Sequence, residues 1–384
     1  MSTAPRHYDV LVIGGGVVGT AVAFTLAHRG VSVGLVESGP GLAYSASGTN
    51  SGCLHTGFDS TPGELETQLI LRSAQLRPAV LSALEIPVMH CGAELVPQSD
   101  SDRETVSALY DNAVTNGVDV SIREADGALL VPGESITDPV AYTESLGRSA
   151  VEAGTEIHLN TSVTRIDSVA DGLQVHTANG ETTTASAVIN CAGLYADEIA
   201  RMVGDESISI YPRKGEFFVF ELPDGETLDH IVLPVPTKRT KGVLVFPTLD
   251  GRVVTGPTAV DLEDKEDWSV REEARQEVLT KAVQQLPELE GLEPVFQYAG
   301  LRTAGRDSNY VIGVSTACDR LVNVAAIRST GLSASLGIGE YVAEIIESLG
   351  LDVASPTEMP PAEPVRRDAP WWRRTADYRG ASGA

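Results

Sequence analysis

The stretch that most constrains this chain is residues 9–37, DVLVIGGGVVGTAVAFTLAHRGVSVGLVE. It predicts a strand, a glycine turn, an amphipathic helix and a second strand that ends at an acidic residue. Gly14, Gly16 and Gly19 have the G-x-G-x-x-G spacing, which allows a tight turn, close approach of the backbone to a pyrophosphate, and close helix–strand packing. Glu37 stands where a carboxylate accepts hydrogen bonds from ribose hydroxyls. The pattern predicts a dinucleotide site, and the alternative is a purely structural βαβ unit.

The composition excludes several classes of protein. The formal net charge is −25, whereas a nucleic-acid-binding surface needs a basic patch. No run of 18 apolar residues is present, so no membrane-spanning helix is predicted. The start of the chain has no signal-peptide pattern, and the four cysteines lack metal-binding spacing. We therefore expect a cytoplasmic protein with free thiols, no bound metal and no nucleic-acid partner.

The rest of the chain predicts an α/β fold in which a β-rich block interrupts the nucleotide-binding part. Helical spacing of apolar residues occurs at 64–84, 100–116, 138–153, 270–286 and 332–349. Strand patterns occur at 187–193, 310–313 and 321–326. Between residues 208 and 260, short apolar runs separated by Gly, Pro and Asp turns are typical of an antiparallel sheet.

Three further segments carry a family resemblance. They are NCAGLYAD at 190–197, AGLRTAGRD at 299–307 and AAIRSTGLSASLGIGEYV at 325–342. With the opening turn, they resemble the D-amino-acid-oxidase-like class of FAD-dependent oxidoreductases over about residues 8–348. The loop SGTNSGCLHTGFDSTPGEL at 47–65 is similar to that of L-2-hydroxyglutarate oxidases or dehydrogenases. It is similar, less closely, to the loop of FAD-dependent glycerol-3-phosphate dehydrogenases.

The resemblance implies an α/β fold, α+β overall, with a Rossmann-like FAD-binding domain and an interleaved antiparallel β-rich substrate domain. The FAD-binding domain is predicted from 1–85, 138–205 and 300–350, the substrate-binding domain from 86–137 and 206–299, and a flexible C-terminal tail from 351–384. The adjacent Trp371 and Trp372 raise two alternatives for the tail. It docks on a partner or on the inner face of the membrane, or it folds onto its own domain.

The resemblance also implies FAD as the cofactor and assigns residues to it. The predicted cofactor-binding residues are Gly14, Gly16, Gly19, Glu37, Ser45, Ser47, Asn50, Ser51, Gly193, Ser329, Thr330, Gly331 and Leu332. The opening turn and Glu37 hold the ADP half, and the 45–51 loop lines the flavin or the pyrophosphate. The last four residues open a helix whose N–H groups point at the flavin or the ribityl chain. An ordinary helix-start glycine is the alternative for Gly331.

His55 is the predicted catalytic base. Histidine titrates near neutral pH, which suits alternate acceptance and release of a proton. His55 lies in the Gly/Ser-rich loop that the resemblance places at the flavin ring. The alternative is a surface or merely hydrogen-bonded histidine.

Arg302 is the predicted anion-binding residue, because it lies between apolar residues and a turn. A guanidinium holds a carboxylate or phosphate at two points, and the alternative is a salt bridge to an internal acid. Arg213, Lys214 and Lys241 add positive charge near the β-rich block, and Lys214 is predicted to bind substrate. Tyr298 is a further substrate-binding candidate, with core packing as its alternative.

These residues predict an FAD-dependent enzyme that oxidises the CH–OH group of a small anionic 2-hydroxy acid. L-2-hydroxyglutarate, oxidised to 2-oxoglutarate, is the preferred substrate, with hydride transfer to flavin N5 and proton transfer to His55. The alternatives are a glycerol-3-phosphate dehydrogenase, an amino-acid or amine oxidase, and a non-catalytic electron-transfer flavoprotein subunit. The electron acceptor is expected to be a quinone, oxygen or another redox protein.

Overall fold

The fold is given by a computed structural model that describes residues 6–223, 226–236, 242–357, 359–360, 362–365 and 369–380. Lys241 therefore lies outside the described residues. Within these ranges, no helix has the length and apolar character needed to span a bilayer.

The helices alternate with strands along most of the chain. Their bounds are α1 Val17–Ala27, α2 Leu65–Ala83, α3 Asp100–Thr115, α4 Pro139–Glu152, α5 Ala196–Arg201, α6 Ala274–Gln285, α7 Gly331–Ser348 and α8 Trp371–Arg379. Short 3-10 helices occur at Ala46–Thr49, Gly193–Tyr195 and Pro287–Leu289. The five segments with helical spacing became α2, α3, α4, α6 and α7, whereas α5 and α8 were not predicted.

The strands form two large sheets and one small one. Their bounds are β1 Arg6–Ile13, β2 Val33–Val36, β3 Cys53–Leu54, β4 Val88–Met89, β5 Ala93–Leu95, β6 Ser121–Ile122, β7 Leu129–Val131, β8 Ser135–Thr137, β9 Glu156–His158, β10 Val163–Val169, β11 Gly172–Thr177, β12 Thr182–Asn190, β13 Ile210–Phe220, β14 Ile231–Val232, β15 Leu244–Pro247, β16 Val253–Gly256, β17 Val260–Asp261, β18 Phe296–Gly305, β19 Val311–Val314 and β20 Leu321–Ala325.

The first sheet has a parallel core in the order β9–β2–β1–β12–β20. The β10–β11 hairpin extends it beside β12, and β19 runs antiparallel to β20. Parallel neighbours need crossover connections, and α1 is the crossover between β1 and β2. The sequence predicts an amphipathic α1, but Val18 is its only residue that is not buried. The reason is that α4 and α7 also pack against α1.

The second sheet has the order β17–β13–β16–β15–β14–β5–β7–β6, and β18 also pairs with β13. The β13–β18 ladder is antiparallel and continuous from Ile210↔Gly305 to Val219↔Phe296. The predicted boundary at residue 300 therefore falls inside a strand. Because of this continuity, β18 carries the chain from the β-rich block back towards the parallel sheet.

The C-terminal segment is packed onto the protein and is not a loose tail in the part that the structure describes. Three backbone N–H groups between residues 354 and 362 donate to carbonyls at the C-terminal ends of α1 and α2. The helix α8 follows, and its Trp371 and Trp372 side chains are only 3% and 4% exposed. The prediction of a flexible tail was wrong for this helix, because both indole rings pack against aromatic side chains of β18.

Candidate active site

The glycine turn after β1 has no room for side chains at two of its three glycines. Gly14 has a φ of 112°, and a Cβ there would lie 2.3 Å from the Cys191 carbonyl oxygen. A Cβ on Gly19 would lie 1.9 Å from the Gly14 carbonyl oxygen. The helix α1 therefore begins directly at the end of β1, and its first N–H groups lack partners within the helix. Such a helix start favours a bound phosphate.

Glu37 is held beside this turn at the end of β2. Its two carboxylate oxygens accept hydrogen bonds from the backbone N–H groups of Gly15 and Gly39, both at 2.6 Å. These bonds fix the carboxylate but leave further lone pairs, which ribose hydroxyls can use. Gly16 faces Ser47, whose hydroxyl would lie 3.1 Å from a Cβ at that position. The glycine turn, the absence of a side chain at Gly16 and the fixed Glu37 carboxylate together fit the ADP half of FAD.

The loop at 45–51 packs against the start of α1. The Ser47 hydroxyl accepts a hydrogen bond from the Val17 N–H at 2.9 Å. The Ser45 carbonyl accepts a hydrogen bond from the Gly48 N–H. The side chains of Asn50 and Ser51 each accept a hydrogen bond from the backbone N–H two positions further along the chain. The structure thus brings this loop to the N-terminus of α1.

The remaining predicted anchors lie on two other segments. Gly193 has a φ of 56° and follows Cys191, whose N–H bonds to the last residue of β1. Gly331 begins α7, Leu332 is buried, and Ser329 is exposed on the preceding loop. The Thr330 hydroxyl is a structural contact, because it donates to Glu66 at 2.6 Å.

His55 and Glu134 form the most clearly organised polar pair in the site. The Nδ1 atom of His55 lies 2.7 Å from Oε2 of Glu134, and the side chains are 26% and 0% exposed. The other Glu134 oxygen accepts from the backbone N–H and the hydroxyl of Thr56. The pairing follows from register, since β3 and β8 place Leu54 opposite Ser135, and the next positions outward are 55 and 134. Glu134 therefore fixes the orientation of the imidazole.

Two buried groups hold the backbone of His55. Its N–H donates to the Ser333 hydroxyl at 2.8 Å, which joins the His55 loop to the first turn of α7. Arg77 donates to the carbonyls of both residues at 3.1 Å. Burial lowers the pKa of the Arg77 guanidinium, and the nearby Glu134 carboxylate opposes that effect. Its positive charge in turn helps to offset the charge of the buried Glu134.

Arg302 lies on β18 without a carboxylate partner in the described chain. Its guanidinium donates to two carbonyls, those of Thr258 at 3.2 Å and Arg213 at 3.5 Å. Loss of surrounding water lowers its pKa to about 10, and the neighbouring Arg213 charge acts in the same direction. The group is therefore positive at neutral pH. The sequence alternative, a salt bridge to an internal acid, does not occur among the described residues.

The same face of β18 meets the loop that leads to His55. Gly300 lies two residues before Arg302, and a Cβ there would be 2.8 Å from the Thr49 carbonyl oxygen. Gly215 on β13 pairs with Gly300 on β18. A Cβ at residue 215 would be 2.5 Å from the Arg302 guanidinium. Glycine at these positions makes room for the guanidinium and for the loop.

The structure does not bring Lys214 and Tyr298 to Arg302. Lys214 points to the opposite face of β13, where its ammonium lies 2.8 Å from Asp267 and is 1% exposed. Tyr298 is fully buried, stacks on Phe217 and has no hydroxyl partner among the described residues. Burial raises the pKa of its phenol well above the usual range. Both contacts are those of core residues.

Sequence reasoning missed three contributors, namely Glu134, Arg77 and Ser333. Glu134 and Arg77 belong to no motif, and Ser333 lies in the 325–342 segment that carries the family resemblance but had no role predicted for it. Glu134 stands in the turn PGES between two very short strands, and Arg77 occupies an ordinary position on α2. Only the pairing of β3 with β8 would have indicated Glu134.

The fold and this site define a flavoprotein oxidoreductase. The chain belongs to the DAO family, described as FAD dependent oxidoreductase, whose model matches residues 9–345. FAD is the cofactor of this family.

Three similar proteins are informative. Glycerol 3-phosphate dehydrogenase of Caloramator mitchellensis is 30% identical, over 89% of this chain and 74% of that protein. L-2-hydroxyglutarate dehydrogenase of Escherichia coli K12 is 29% identical, over 69% of this chain and 67% of that protein. The structure of dithionite-reduced L-α-glycerophosphate oxidase from Mycoplasma pneumoniae with FAD bound superposes with a TM-score of 0.86, at 26% identity over 94% of this chain and 100% of that one.

The space around Arg302 gives a test of its placement. We expect Gly215→Ala to raise the KM for the substrate between about tenfold and a hundredfold, because the new methyl displaces the guanidinium. The new Cβ would also lie 2.8 Å from the Cβ of Pro257, which cannot move aside easily. FAD binding should be unchanged. Gly313→Ala is the control, since a Cβ there meets nothing within 4 Å, and an unchanged KM in Gly215→Ala would remove Arg302 from the substrate site.

Proposed function

We propose that this protein oxidises the CH–OH group of a small anionic alcohol, with glycerol 3-phosphate as the first candidate substrate and L-2-hydroxyglutarate as the second. The observation that carries the proposal is the His55–Glu134 pair, a base oriented by a fully buried carboxylate. When bound, FAD supplies the oxidising power by accepting a hydride from the substrate carbon.

His55 takes the proton of the substrate hydroxyl in this scheme. Because Nδ1 faces Glu134, Nε2 is the ring nitrogen that would accept the substrate proton. The buried carboxylate stabilises the imidazolium that forms, since opposite charges attract strongly where water is excluded. An alcohol must lose this proton as it becomes a carbonyl. The oriented base therefore supports oxidation of a CH–OH group.

Arg302 binds the anionic end of the substrate. Its guanidinium donates hydrogen bonds to two neutral carbonyls, and no carboxylate of the described residues forms a direct ion pair with it. Asp261, which pairs with Arg213, attracts it without a hydrogen bond. Arg328 stands on the neighbouring segment, where its N–H donates to the Thr303 carbonyl at 3.1 Å. Its φ of 48° is unusual for a residue with a side chain. We assign it a supporting role in attracting the anion.

The order of the two substrates rests on the extent of similarity. The glycerol 3-phosphate dehydrogenase aligns over 357 residues, and the L-2-hydroxyglutarate dehydrogenase over 282 residues. A single phosphate needs one strong cation site, whereas L-2-hydroxyglutarate carries two carboxylates. Lys214, which the sequence predicted to bind substrate, forms an ion pair with Asp267 instead. These points favour glycerol 3-phosphate, although the loop at 47–65 led the sequence analysis to prefer L-2-hydroxyglutarate.

Anaerobic reduction of the bound flavin tests the substrate. We expect glycerol 3-phosphate to bleach the flavin absorbance fastest in a panel that also contains L-2-hydroxyglutarate, glycerol, glycine and L-proline. In the Arg302→Met variant, glycerol 3-phosphate and glycerol should reduce the flavin at more similar rates, because only glycerol 3-phosphate carries the anionic group that Arg302 would bind. Reoxidation with air, and separately with a quinone, then identifies the electron acceptor. If none of the five compounds reduces the flavin, the proposed function is wrong.

The roles of the base and its carboxylate can be separated by kinetics. We expect His55→Gln to lower kcat between about 10²-fold and 10⁴-fold, the range for a general base. Glu134→Gln keeps the shape of the positioning residue but removes the counter-charge of the imidazolium. Its kcat/KM should fall, and the acidic limb of the pH profile should move to lower pH.

Glu340→Gln is the control, since Glu340 is a carboxylate that contacts Arg29 and Arg72 elsewhere. The expected flavin absorbance is the same in all three variants. A Glu134→Gln enzyme with an unchanged pH profile would contradict the positioning role.

A further inference from the structure

The helix α8 contacts the loop that precedes the cofactor anchors. Its side chains donate to three consecutive backbone carbonyls. Arg374 donates to Leu42 at 3.1 Å, Thr375 to Ala43 at 3.0 Å, and Arg379 to Tyr44 at 2.7 Å.

The same loop is tied to the glycine turn on its other side. The Ala43 N–H donates to the Gly15 carbonyl at 3.1 Å, so one residue joins α8 to the turn. Ala43 has a φ of 61°, which is strained for a residue with a side chain and therefore needs support from its surroundings. Thr375 gives part of that support, because its hydroxyl donates a hydrogen bond to the Ala43 carbonyl.

Packing between α8 and the loop is also tight. A Cβ at Gly48 would lie 2.0 Å from the Thr375 hydroxyl oxygen and 2.1 Å from the Ala43 carbonyl oxygen. The neighbouring Ser47 holds the Val17 N–H at the start of α1. Displacement of α8 would therefore release both ends of the 42–48 loop.

The other end of α8 is fixed to the β-rich sheet. Trp371 packs edge-on against Tyr298 with ring centroids 6.0 Å apart, and Trp372 packs against Phe296 at 5.0 Å. The helix thus connects the sheet that carries Arg302 with the 42–48 loop at the N-terminus of α1.

We infer that α8 is a C-terminal brace of the FAD site, in which Thr375 and Arg374 act as positioning residues that set the affinity for FAD. The brace touches no reacting atom. It holds the 42–48 loop against the glycine turn, so part of the cost of ordering this loop is met before FAD binds. This inference depends on FAD as the cofactor and not on which alcohol is oxidised.

Reciprocity makes the inference testable in the unaltered protein. If docking of α8 raises FAD affinity, bound FAD must stabilise the docking of α8 to the same extent. We expect the backbone amides of residues 371–380 to exchange with deuterium more slowly when the full-length protein is saturated with FAD. Equal exchange rates in the apo- and FAD-bound protein would overturn the inference.

A set of variants on α8 gives the second test, with the FAD dissociation constant as the readout. Thr375→Val removes the hydroxyl and leaves a buried carbonyl unpaired, so we expect about tenfold weaker binding of FAD. Thr375→Ser retains the hydroxyl and should stay within about twofold of the wild type. Arg373→Met is the matched control, because Arg373 is exposed and its contacts among the described residues are with Asp377 and the Phe296 ring, not with the 42–48 loop.

A purely structural role for α8 predicts a different pattern. Thr375→Val would then lower the melting temperature of the apo-protein while the FAD dissociation constant stayed at the wild-type value. That result overturns the inference. If Thr375→Val does not fold, the same titration with Arg374→Met, together with the exchange measurement, decides the question.

Discussion

The close contact between Gly19 and the Gly14 carbonyl is the constraint on which the site depends. With no Cβ at residue 19, α1 begins against the end of β1, and the N–H groups of its first turn face outward together. Three separate segments then meet this point. Glu37 arrives at the end of β2, Ser47 from the following loop, and Cys191 from the end of β12. A larger residue at 14 or 19 would separate all of them at once.

The β13–β18 ladder separates two sets of charged side chains, because side chains alternate between the two faces of a strand. On one face, Lys214 and the fully buried Glu216 are neutralised by Asp267 and Arg271. On the other face, Arg302 is left with carbonyl partners only. In a chain of net charge −25, a desolvated cation that forms no direct ion pair with a described acid is an attractive point for an anion.

Local patterns in the sequence were sufficient to predict the parts of the fold that are local in the chain. The glycine turn, Glu37 and the bounds of α2, α3 and α4 depend on neighbours a few residues away, and periodicity records them. His55 was predicted as the base from its loop together with the family resemblance. Glu134 was not, because its contact with His55 depends on the pairing of two short strands about 80 positions apart, which no periodicity reveals.

Two further differences arise from packing that the sequence does not display. The helix α1 was expected to have a polar side, but α4 and α7 bury it. Residues 371–379 have the composition of a loose tail, and yet they form a helix, because Trp371 and Trp372 find an aromatic surface on β18. Lys214 resembles a substrate ligand by its neighbours in the sequence, and strand alternation turns it to the other face.

The central claim is that the glycine turn and Glu37 bind the ADP half of FAD. Titration of the apo-protein with FAD and with FMN, which lacks the AMP part of FAD and therefore the ribose that Glu37 would bind, tests it most directly. We predict that Glu37→Gln weakens FAD binding by about tenfold, through loss of charge-assisted hydrogen bonds to ribose, and leaves FMN binding unchanged. Equal affinity of the wild type and Glu37→Gln for FAD would contradict the account.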